Sequence, residues 1–281
     1  MQDHILITKN LSKSYKHNPV LKSIDLEIDR GQVYGLIGKN GAGKTTLIRI
    51  ITRLMNPSGG IVQLNSNTNY IGYMPQSCRF DDNSTVQDTI KFFARLKKVN
   101  YNDGLNISNK IDLNVSQKVR YLSPGQQKKL QIIIAMIGNP DFYILDEPTA
   151  GLDPSATHEM LNIIQSIHSK GKTILISSHI LQDMDNICTD IGILKNGKLS
   201  HNHSFGKVFE IQTGGITEKI RDELSKKYDF EYFNNIISLK NITHEIVPSV
   251  ITNLVSYGVD IYGASSKKLE TLALEEMEGD V

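Results

Sequence analysis

The pattern of apolar and polar residues along the chain predicts an α/β protein. A short apolar run, Val33–Ile37, stops at a glycine-rich segment, and the apolar density of a buried helix then continues until Asn56-Pro57. Two more short apolar runs, Phe142–Leu145 and Thr173–Ser177, lie between helical patterns. Strands that alternate with helices in this way are typical of a mostly parallel sheet.

The segments around this alternation have patterns of their own. Residues 5–32 contain short alternating runs broken by polar turns, which predicts short β-strands at the N-terminal end. One helix is predicted from Ser84 to Leu96, and another begins near Ser123-Pro124. The polar, asparagine-rich stretch 99–118 allows no assignment.

A different pattern begins after about Ser204. Strand-like segments at 208–213, 230–232, 236–239 and 259–263 are separated by helical patterns at 216–228 and 243–255. The order β-α-β-β-α-β predicts a small ferredoxin-like α+β domain, and the acidic segment KKLETLALEEME predicts a closing helix. We therefore expect an N-terminal domain over 1–203 and an accessory domain over 204–281.

Composition and charge narrow the class of protein. Hydrophobic residues make up 39% of the chain, charged residues 22%, and the formal net charge is +1. These values exclude a wholly disordered chain, a collagen and a small disulfide scaffold, and they give no sign of nucleic-acid binding. We expect the separated Cys78 and Cys188 to be reduced thiols in a cytosolic protein. No apolar run approaches the roughly 18 residues that span a bilayer, and the first residues do not resemble a signal peptide.

The glycine-rich segment carries the first chemical motif. Gly38-Lys39-Asn40-Gly41-Ala42-Gly43-Lys44-Thr45 fits G-x-x-x-x-G-K-[ST] after a strand and at the start of a helix, where an ordinary glycine turn is the alternative. Backbone N–H groups and the helix N-terminus would bind phosphates, with Lys44 at the β- and γ-phosphates and Thr45 on Mg²⁺. The predicted nucleotide-binding residues of this segment are Gly38, Lys39, Asn40, Gly41, Ala42, Gly43, Lys44, Thr45 and Thr46.

A phosphate loop alone does not distinguish ATP from GTP. Asn109-Lys110-Ile111-Asp112 matches the N-K-x-D pattern of GTPases. That motif should follow a buried strand, whereas this copy lies in the polar stretch before the predicted helix that begins near Ser123-Pro124. We therefore favour ATP over a guanine nucleotide.

Further segments in a fixed order carry a family resemblance. Leu122-Ser123-Pro124-Gly125-Gln126 precedes Phe142-Tyr143-Ile144-Leu145-Asp146-Glu147-Pro148, and Gly151-Leu152-Asp153 and Ser177-Ser178-His179 follow. Together with the phosphate loop, they resemble an ATP-binding cassette (ABC) ATPase over about residues 1–200. The resemblance implies a P-loop NTPase core with an N-terminal antiparallel β subdomain and a helical subdomain over about residues 84–140.

The resemblance also implies a role for each motif residue. Asp146 serves Mg²⁺ and Glu147 acts as the general base, which suits two carboxylates at the end of a buried strand. His179 is the switch histidine that contacts the γ-phosphate. Gln76 matches the Q-loop, which touches Mg²⁺ or water and couples to a membrane partner. Tyr15 matches the aromatic residue that stacks on adenine.

The Leu122–Gln126 segment resembles the family signature, which usually reads Leu-Ser-Gly-Gly-Gln. In the family, this segment and the D-loop, here Gly151-Leu152-Asp153, complete the ATP site of the other subunit, so that two ATP molecules lie between two head-to-tail ATPase subunits. Pro124 replaces the common glycine and removes one N–H donor, and Lys129 stands where arginine is common. The residues predicted to contact ATP across the dimer are Ser123, Gly125, Gln126 and Asp153.

The single cassette and the small C-terminal domain are similar to bacterial exporters of drugs, peptides and lipids. We therefore expect an ATPase subunit that binds MgATP at the cytoplasmic face of the membrane and powers export, with drugs or antimicrobial peptides as the expected cargo. Its partners would be a separate integral membrane permease and a second cassette, identical or different. The alternatives are a cassette that acts on a soluble assembly or nucleic acid, and a regulatory cassette without turnover. The near-neutral charge disfavours the first of these alternatives, and the intact motifs disfavour the second.

Overall fold

The computed structural model describes residues 3–16, 18–65, 71–180, 184, 187–202, 209–239 and 246–266. The chain divides into two compact units, Met1–His201 and Asn202–Val281.

The first unit contains a parallel central sheet and an antiparallel sheet. Among the described residues, six strands form the central sheet in the order β5-β6-β7-β3-β8-β9, and three form the second sheet in the order β2-β1-β4. The neighbours from β5 to β8 in that order pair in parallel. The strands are β1 (His4–Tyr15), β2 (Asn18–Asp29), β3 (Val33–Ile37), β4 (Gly59–Leu64), β5 (Gly72–Met74), β6 (Phe142–Asp146), β7 (Thr173–Ser178), β8 (Asp190–Lys195) and β9 (Lys198–Asn202).

Both faces of the central sheet are covered, which explains why its strands read as continuous apolar runs. Every residue of β3, β6 and β7 is buried. Helix α1 (Lys44–Ile51) follows β3, and helix α5 (Pro154–His168) leads into β7. Tyr34, Phe142 and Leu175 belong to a core that also contains the inner residues of the antiparallel sheet and of α1.

Helix α1 ends earlier than the sequence predicts. The apolar pattern continues to Asn56, but the helix stops at Ile51 and Arg53 adopts a left-handed φ of 60°. The N–H of Leu54 donates to the carbonyl of Arg49 and that of Arg53 to Ile50, as in a Schellman motif. Glycine usually occupies this left-handed position, so an arginine there gave no sign of the helix end.

The helical subdomain has its own apolar core. It consists of α2 (Val86–Leu96), α3 (Tyr101–Lys110), a short 3₁₀ turn (Val119–Tyr121) and α4 (Pro124–Met136). Helix α3 occupies part of the stretch that the sequence left unassigned. Its glycine, Gly104, lies so close to α2 that a Cβ there would be 2.5 Å from Ile90 Cγ2.

The second unit has the β-α-β-β-α-β order that the sequence predicts. Its strands form an antiparallel sheet in the order β11-β12-β10-β13, and Ile211, Ile237 and Leu254 lie in its core. The predicted closing helix KKLETLALEEME lies outside the described residues. The elements are β10 (Phe209–Thr213), α6 (Glu218–Ser225), β11 (Phe230–Phe233), β12 (Ile236–Leu239), α7 (Val247–Ser256) and β13 (Ile261–Ser266).

None of the described helices combines the length and the apolar character needed to cross a bilayer.

Candidate functional site

Parallel pairing brings the ends of four strands to one edge of the central sheet. Ile37 of β3 pairs with Ser178 of β7, and Asp146 of β6 pairs with Ser177. The residues that follow these strands, including Gly38, Glu147 and His179, therefore lie at neighbouring positions. Gln76 follows the adjacent strand β5. This edge, beyond the carboxyl ends of parallel strands, is where α/β proteins form their sites.

Two glycines of the phosphate loop are required by its geometry. A Cβ at Gly38 would lie 2.6 Å from the carbonyl oxygen of Leu194, and Gly43 has a left-handed φ of 110°. Gly43 is also the N-cap of α1. The loop therefore passes close to β8 and turns directly into the helix, which directs the helix N-terminus towards the sheet edge.

Lys44, Glu147 and His179 form a continuous polar chain at this edge. Lys44 Nζ lies 3.1 Å from Glu147 Oε1, and both side chains are more than nine-tenths buried. The same ammonium donates to the carbonyl oxygen of Gly38 at 2.6 Å. His179 Nδ1 lies 2.7 Å from Glu147 Oε2. Glu147 therefore contacts a cation with one oxygen and an imidazole with the other.

The backbone of Glu147 is held in an uncommon conformation. Its φ is 52°, in the left-handed region, where a non-glycine residue is strained by about 1–3 kcal/mol. Its N–H donates to the carbonyl of Ser177 at 3.2 Å and to Ser177 Oγ at 3.0 Å. The Ser177 hydroxyl donates in turn to Asp146 Oδ1 at 2.7 Å. Ser177 thus holds both acidic residues.

Asp146 has an unused oxygen that suits a cation. The residue is fully buried, and its Oδ2 has no hydrogen-bond partner among the described residues. A buried carboxylate oxygen is costly to leave unpaired. Burial, together with the nearby negative charge of Asp146, raises the pKa of Tyr73 on β5 to about 12. Thr45, whose side chain carries a hydroxyl oxygen, lies at the start of α1 and lines a cleft that also includes Glu147, the residue after Asp146. These oxygens fit Mg²⁺, which prefers carboxylate and hydroxyl ligands.

A cleft of about 440 Å³ connects the predicted nucleotide-binding residues. The phosphate loop forms one wall, and Tyr15, Gln76 and Glu147 contribute to the others. Tyr15 is 44% exposed; its hydroxyl donates to Met55 Sδ at 3.1 Å, and Lys13 Nζ lies 5.5 Å from its ring centroid. The aromatic face is therefore available to a planar ligand at the edge of the cleft.

The signature residues and Asp153 lie outside the lining of this cleft. Ser123 is the exposed N-cap of α4; its Oγ accepts from the N–H of Gln126, whose side chain accepts from the N–H of Ser123. Pro124 occupies the first turn, where a missing N–H is tolerated. Asp153 caps α5 through a bond from the N–H of Ala156. These residues are on the surface at two helix N-termini.

Two comparisons with known sequences identify the chain. Residues 21–150 match the family described as "ABC transporter". The lantibiotic transport ATP-binding protein SrtF of Streptococcus pyogenes is 35% identical over 203 residues, which cover 69% of this chain and 89% of the relative. This chain belongs to the ABC transporter family.

Another relative and a solved structure extend the match. The bacitracin transport ATP-binding protein BcrA of Enterococcus faecalis is 28% identical over 88% of this chain and 87% of its own length. An ATP-binding subunit of an ABC transporter has the same fold, with a TM-score of 0.63, 28% identity and coverage of 79% of this chain and 93% of its own. The predicted fold class and the prediction of an ABC exporter ATPase subunit are confirmed. The chain is a nucleotide-binding, ATP-hydrolysing subunit, and such subunits dimerise and act with membrane partners.

Two polar residues of this ABC ATPase were not predicted from the sequence as parts of the site. For Ser177, the sequence pattern predicts only a place in the strand that precedes His179. Lys128, on α4, is buried, and its Nζ donates to the main-chain carbonyls of Gln76 and Glu147. Burial lowers the pKa of Lys128, and the negative charges of Asp146 and Glu147 offset only part of that shift. Lys128 belongs to the polar run Gln126–Lys129 at the start of α4, so no local pattern in the sequence indicates its burial.

The N-K-x-D match lies away from the ABC ATPase cleft. Asn109 and Lys110 end helix α3, and Ile111 and Asp112 follow it in the helical subdomain. None of these residues follows a strand or lines the cleft. The location agrees with the choice of ATP over a guanine nucleotide.

Proposed function

We propose that the cleft binds MgATP and that its hydrolysis powers export through a separate membrane permease. The observation that carries this proposal is the polar chain at the edge of the phosphate loop, in which the buried Lys44 and Glu147 pair and the partly exposed His179 contacts Glu147. It places a cation for phosphate, a carboxylate for water and an imidazole next to one another. Those are the groups that phosphoryl transfer to water needs.

Glu147 is the general base of this reaction. In the described structure its Oε1 pairs with Lys44. A bound triphosphate offers Lys44 a more highly charged partner, so the ammonium binds the β- and γ-phosphates and releases Glu147 to orient the attacking water. His179 holds the second carboxylate oxygen and contacts the γ-phosphate. Lys44 thus changes partners when ATP binds.

Asp146, Thr45 and Gln76 would hold Mg²⁺ at this site. The buried, unpaired Oδ2 of Asp146 supports this assignment. When bound, the ion neutralises negative charge on the phosphates during transfer. The adenine stacks on Tyr15, whose ring is exposed at the edge of the cleft.

Two cassettes close head to tail around two ATP molecules. Ser123, Gly125, Gln126 and Asp153 do not line the cleft of their own chain, so they are available to a nucleotide bound by another subunit. The Ser123 hydroxyl accepts one hydrogen bond from Gln126 and keeps its own proton to donate to a phosphate. The N-terminus of α4 adds a favourable dipole.

The chain works at the cytoplasmic face of the membrane, and its cargo is a drug or an antimicrobial peptide. The names of the relatives support this cargo class, since SrtF is named for lantibiotic transport and BcrA for bacitracin transport. A mild-detergent pull-down from native cells tests it. A stoichiometric multi-pass membrane protein is expected, and a second cassette in the eluate would indicate a heterodimer. An exclusively soluble eluate would favour the alternative of a soluble assembly.

The Glu147→Gln variant tests the catalytic assignment. It keeps the side-chain size but removes the basic carboxylate, so ATP should bind while kcat falls by about 10²–10⁴-fold. Light scattering with MgATP should detect a stable dimer of the variant. Glu223→Gln, on the surface of the second unit, is the matched control and should retain wild-type turnover. Wild-type turnover by Glu147→Gln would contradict the assignment of the base.

A further inference from the structure

Lys128 connects the helix that begins with the signature residues to two loops of the ATP cleft. It is 9% exposed, and its Nζ lies 3.1 Å from the carbonyl oxygen of Gln76 and 3.0 Å from that of Glu147. Both acceptors are main-chain atoms. The contacts therefore hold the backbone of the two loops and leave the Gln76 and Glu147 side chains available for other partners.

A lysine at this position is unfavourable for packing alone. Its neighbours on α4 include the buried Leu130, Ile132 and Ile133, and an apolar side chain would extend that core. Burying an ammonium group is costly unless hydrogen bonds compensate for the lost water. The hydrogen bonds that compensate the Lys128 ammonium go to carbonyls of the loops that carry Gln76 and Glu147. The buried charge of Lys128 therefore acts on the loops of the ATP cleft.

The two loops differ in how firmly they are otherwise held. Glu147 lies buried after β6, in its strained left-handed conformation, and its carbonyl also accepts from the N–H of Ala150 at 3.3 Å. Gln76 follows the three-residue strand β5 and is exposed. Strands β5 and β6 are parallel neighbours, so one ammonium can span both loops.

We propose that Lys128 is a positioning residue for ATP hydrolysis, which ties the backbone of Gln76 and Glu147 to the position of helix α4. This inference rests on the proposed function of Glu147 and Gln76. A shift of α4 would change the direction in which the Glu147 carboxylate faces and the place of the Gln76 loop. Lys128 would therefore make turnover depend on where the signature helix lies, since its side chain acts through the main-chain carbonyls of Gln76 and Glu147.

The test compares steady-state ATP hydrolysis by full-length Lys128→Met, Lys128→Arg and Lys129→Met. Lys128→Met should lower kcat at least tenfold and change KM less than threefold. Lys128→Arg should recover kcat to within threefold of wild type, because a guanidinium can donate to both carbonyls. Lys129→Met is the matched control: the adjacent lysine pairs with Glu159 at 2.7 Å, and its loss should change kcat less than twofold.

A binding measurement and a double-mutant cycle separate positioning from general damage. The Kd of a fluorescent ATP analogue should stay within threefold of wild type in Lys128→Met. Its effect on kcat should be non-additive with that of Gln76→Ala, since both changes act on one loop. If Lys128→Met does not fold, Lys128→Gln replaces it; the amide can serve one carbonyl, and a partial loss of kcat at constant KM is expected.

Three results would overturn the role of Lys128. They are a kcat within twofold of wild type in the neutral variant, an effect confined to KM, and a failure of arginine to restore turnover. Each of these results counts against Lys128 only when the wild-type chain hydrolyses ATP and Glu147→Gln does not. A wild-type chain without turnover, or an active Glu147→Gln variant, would instead reject the proposed function itself.

Discussion

At the scale of single residues, one hydroxyl organises the acidic end of β6. Ser177 Oγ donates its proton to Asp146 Oδ1 and accepts from the N–H of Glu147. It therefore uses its donor on the carboxylate proposed to hold Mg²⁺ and its acceptor on the backbone of the proposed base. Both contacts are buried, where an unpaired polar group costs about 1–3 kcal/mol.

The Ser177→Ala variant is expected to be less stable and slower. Loss of the hydroxyl leaves Asp146 Oδ1 without this donor, so the free energy of unfolding should fall by about 1–3 kcal/mol. We expect kcat to fall about tenfold, because the Glu147 backbone loses one of its two acceptors. Urea unfolding and ATP hydrolysis measure the two effects. Ser166→Ala, on the partly buried helix α5, is the control, and equal effects in both variants would contradict a specific role for Ser177.

The Tyr15 ring should affect ATP binding more than turnover. Tyr15→Ala removes the exposed aromatic face, and a lost stacking contact of about 1–3 kcal/mol corresponds to a KM for ATP raised roughly five- to 150-fold. Tyr15→Phe keeps the ring and loses only the bond to Met55, so its KM should stay within twofold of wild type. Hydrolysis measured over a range of ATP concentrations distinguishes these outcomes. A change in kcat alone would reject stacking at this position.

The sequence predicts those site residues that belong to a short local motif. The phosphate loop is continuous in sequence, and Asp146 and Glu147 come directly after an apolar strand. Lys128 and Ser177 were missed because their partners lie 19 to 52 positions away in the chain. Their contacts exist only after α4, β6 and β7 have packed, which no local pattern encodes.

At the scale of elements, helix α4 is anchored at both ends and in its middle. Ser123 and Gln126 cap its N-terminus, and Lys128 binds the two cleft loops. At the other end, Lys97 Nζ, at the end of α2, donates to the carbonyls of Ile134 at 2.6 Å and Ile137 at 3.3 Å. A cation there satisfies carbonyls that a helix terminus leaves without partners.

The stability of this contact should depend on pH. Burial lowers the pKa of Lys97 to about 8, below the roughly 10.4 of an unfolded lysine. Between these values the unfolded chain binds more protons, so this group makes the folded state more stable as pH rises from about 8 to 10. The difference in free energy of unfolding between the wild type and Lys97→Met should therefore shift in favour of the wild type from pH 8 to 10. Urea unfolding of both proteins measures this difference.

The control for Lys97 is its exposed neighbour. Lys98→Met removes a lysine from the adjacent position, and its stability relative to wild type should not change with pH in the same window. If the difference in free energy of unfolding between the wild type and Lys97→Met instead moved against the wild type from pH 8 to 10, the carbonyls of α4 would stabilise the charged ammonium more than burial destabilises it.

Helix α3 shows where element prediction from sequence stops. Its face is not marked by a repeating apolar pattern, since Gly104 and Ser108 are its fully buried positions. The small residue allows α3 to approach Ile90 of α2 closely. Close packing through a glycine leaves no hydrophobic signal, whereas the dense apolar runs of β3, β6 and β7 predicted those strands with nearly correct ends.

At the scale of the whole molecule, each compact unit has a core of its own. One cluster joins the central and antiparallel sheets, a second fills the helical subdomain, and a third, containing Ile211, Ile237 and Val250, lies within the second unit. We propose on this basis that residues 1–203 and 204–281 are separate domains. The sequence predicts that division because the β-α-β-β-α-β pattern after residue 204 contains all the elements of a small α+β domain.

A chain shortened after residue 203 should therefore keep its ATP site. The cut leaves β9 whole, and the residues that line the cleft all belong to the first unit. We expect the shortened chain to bind a fluorescent ATP analogue with a Kd within threefold of the full chain and to unfold cooperatively. A matched chain shortened after residue 189 loses β8, which pairs with the phosphate-loop strand β3, and should not bind. If the chain cut after 203 lost binding as well, the second unit would be required for the fold of the first, and the proposed domain boundary would be wrong.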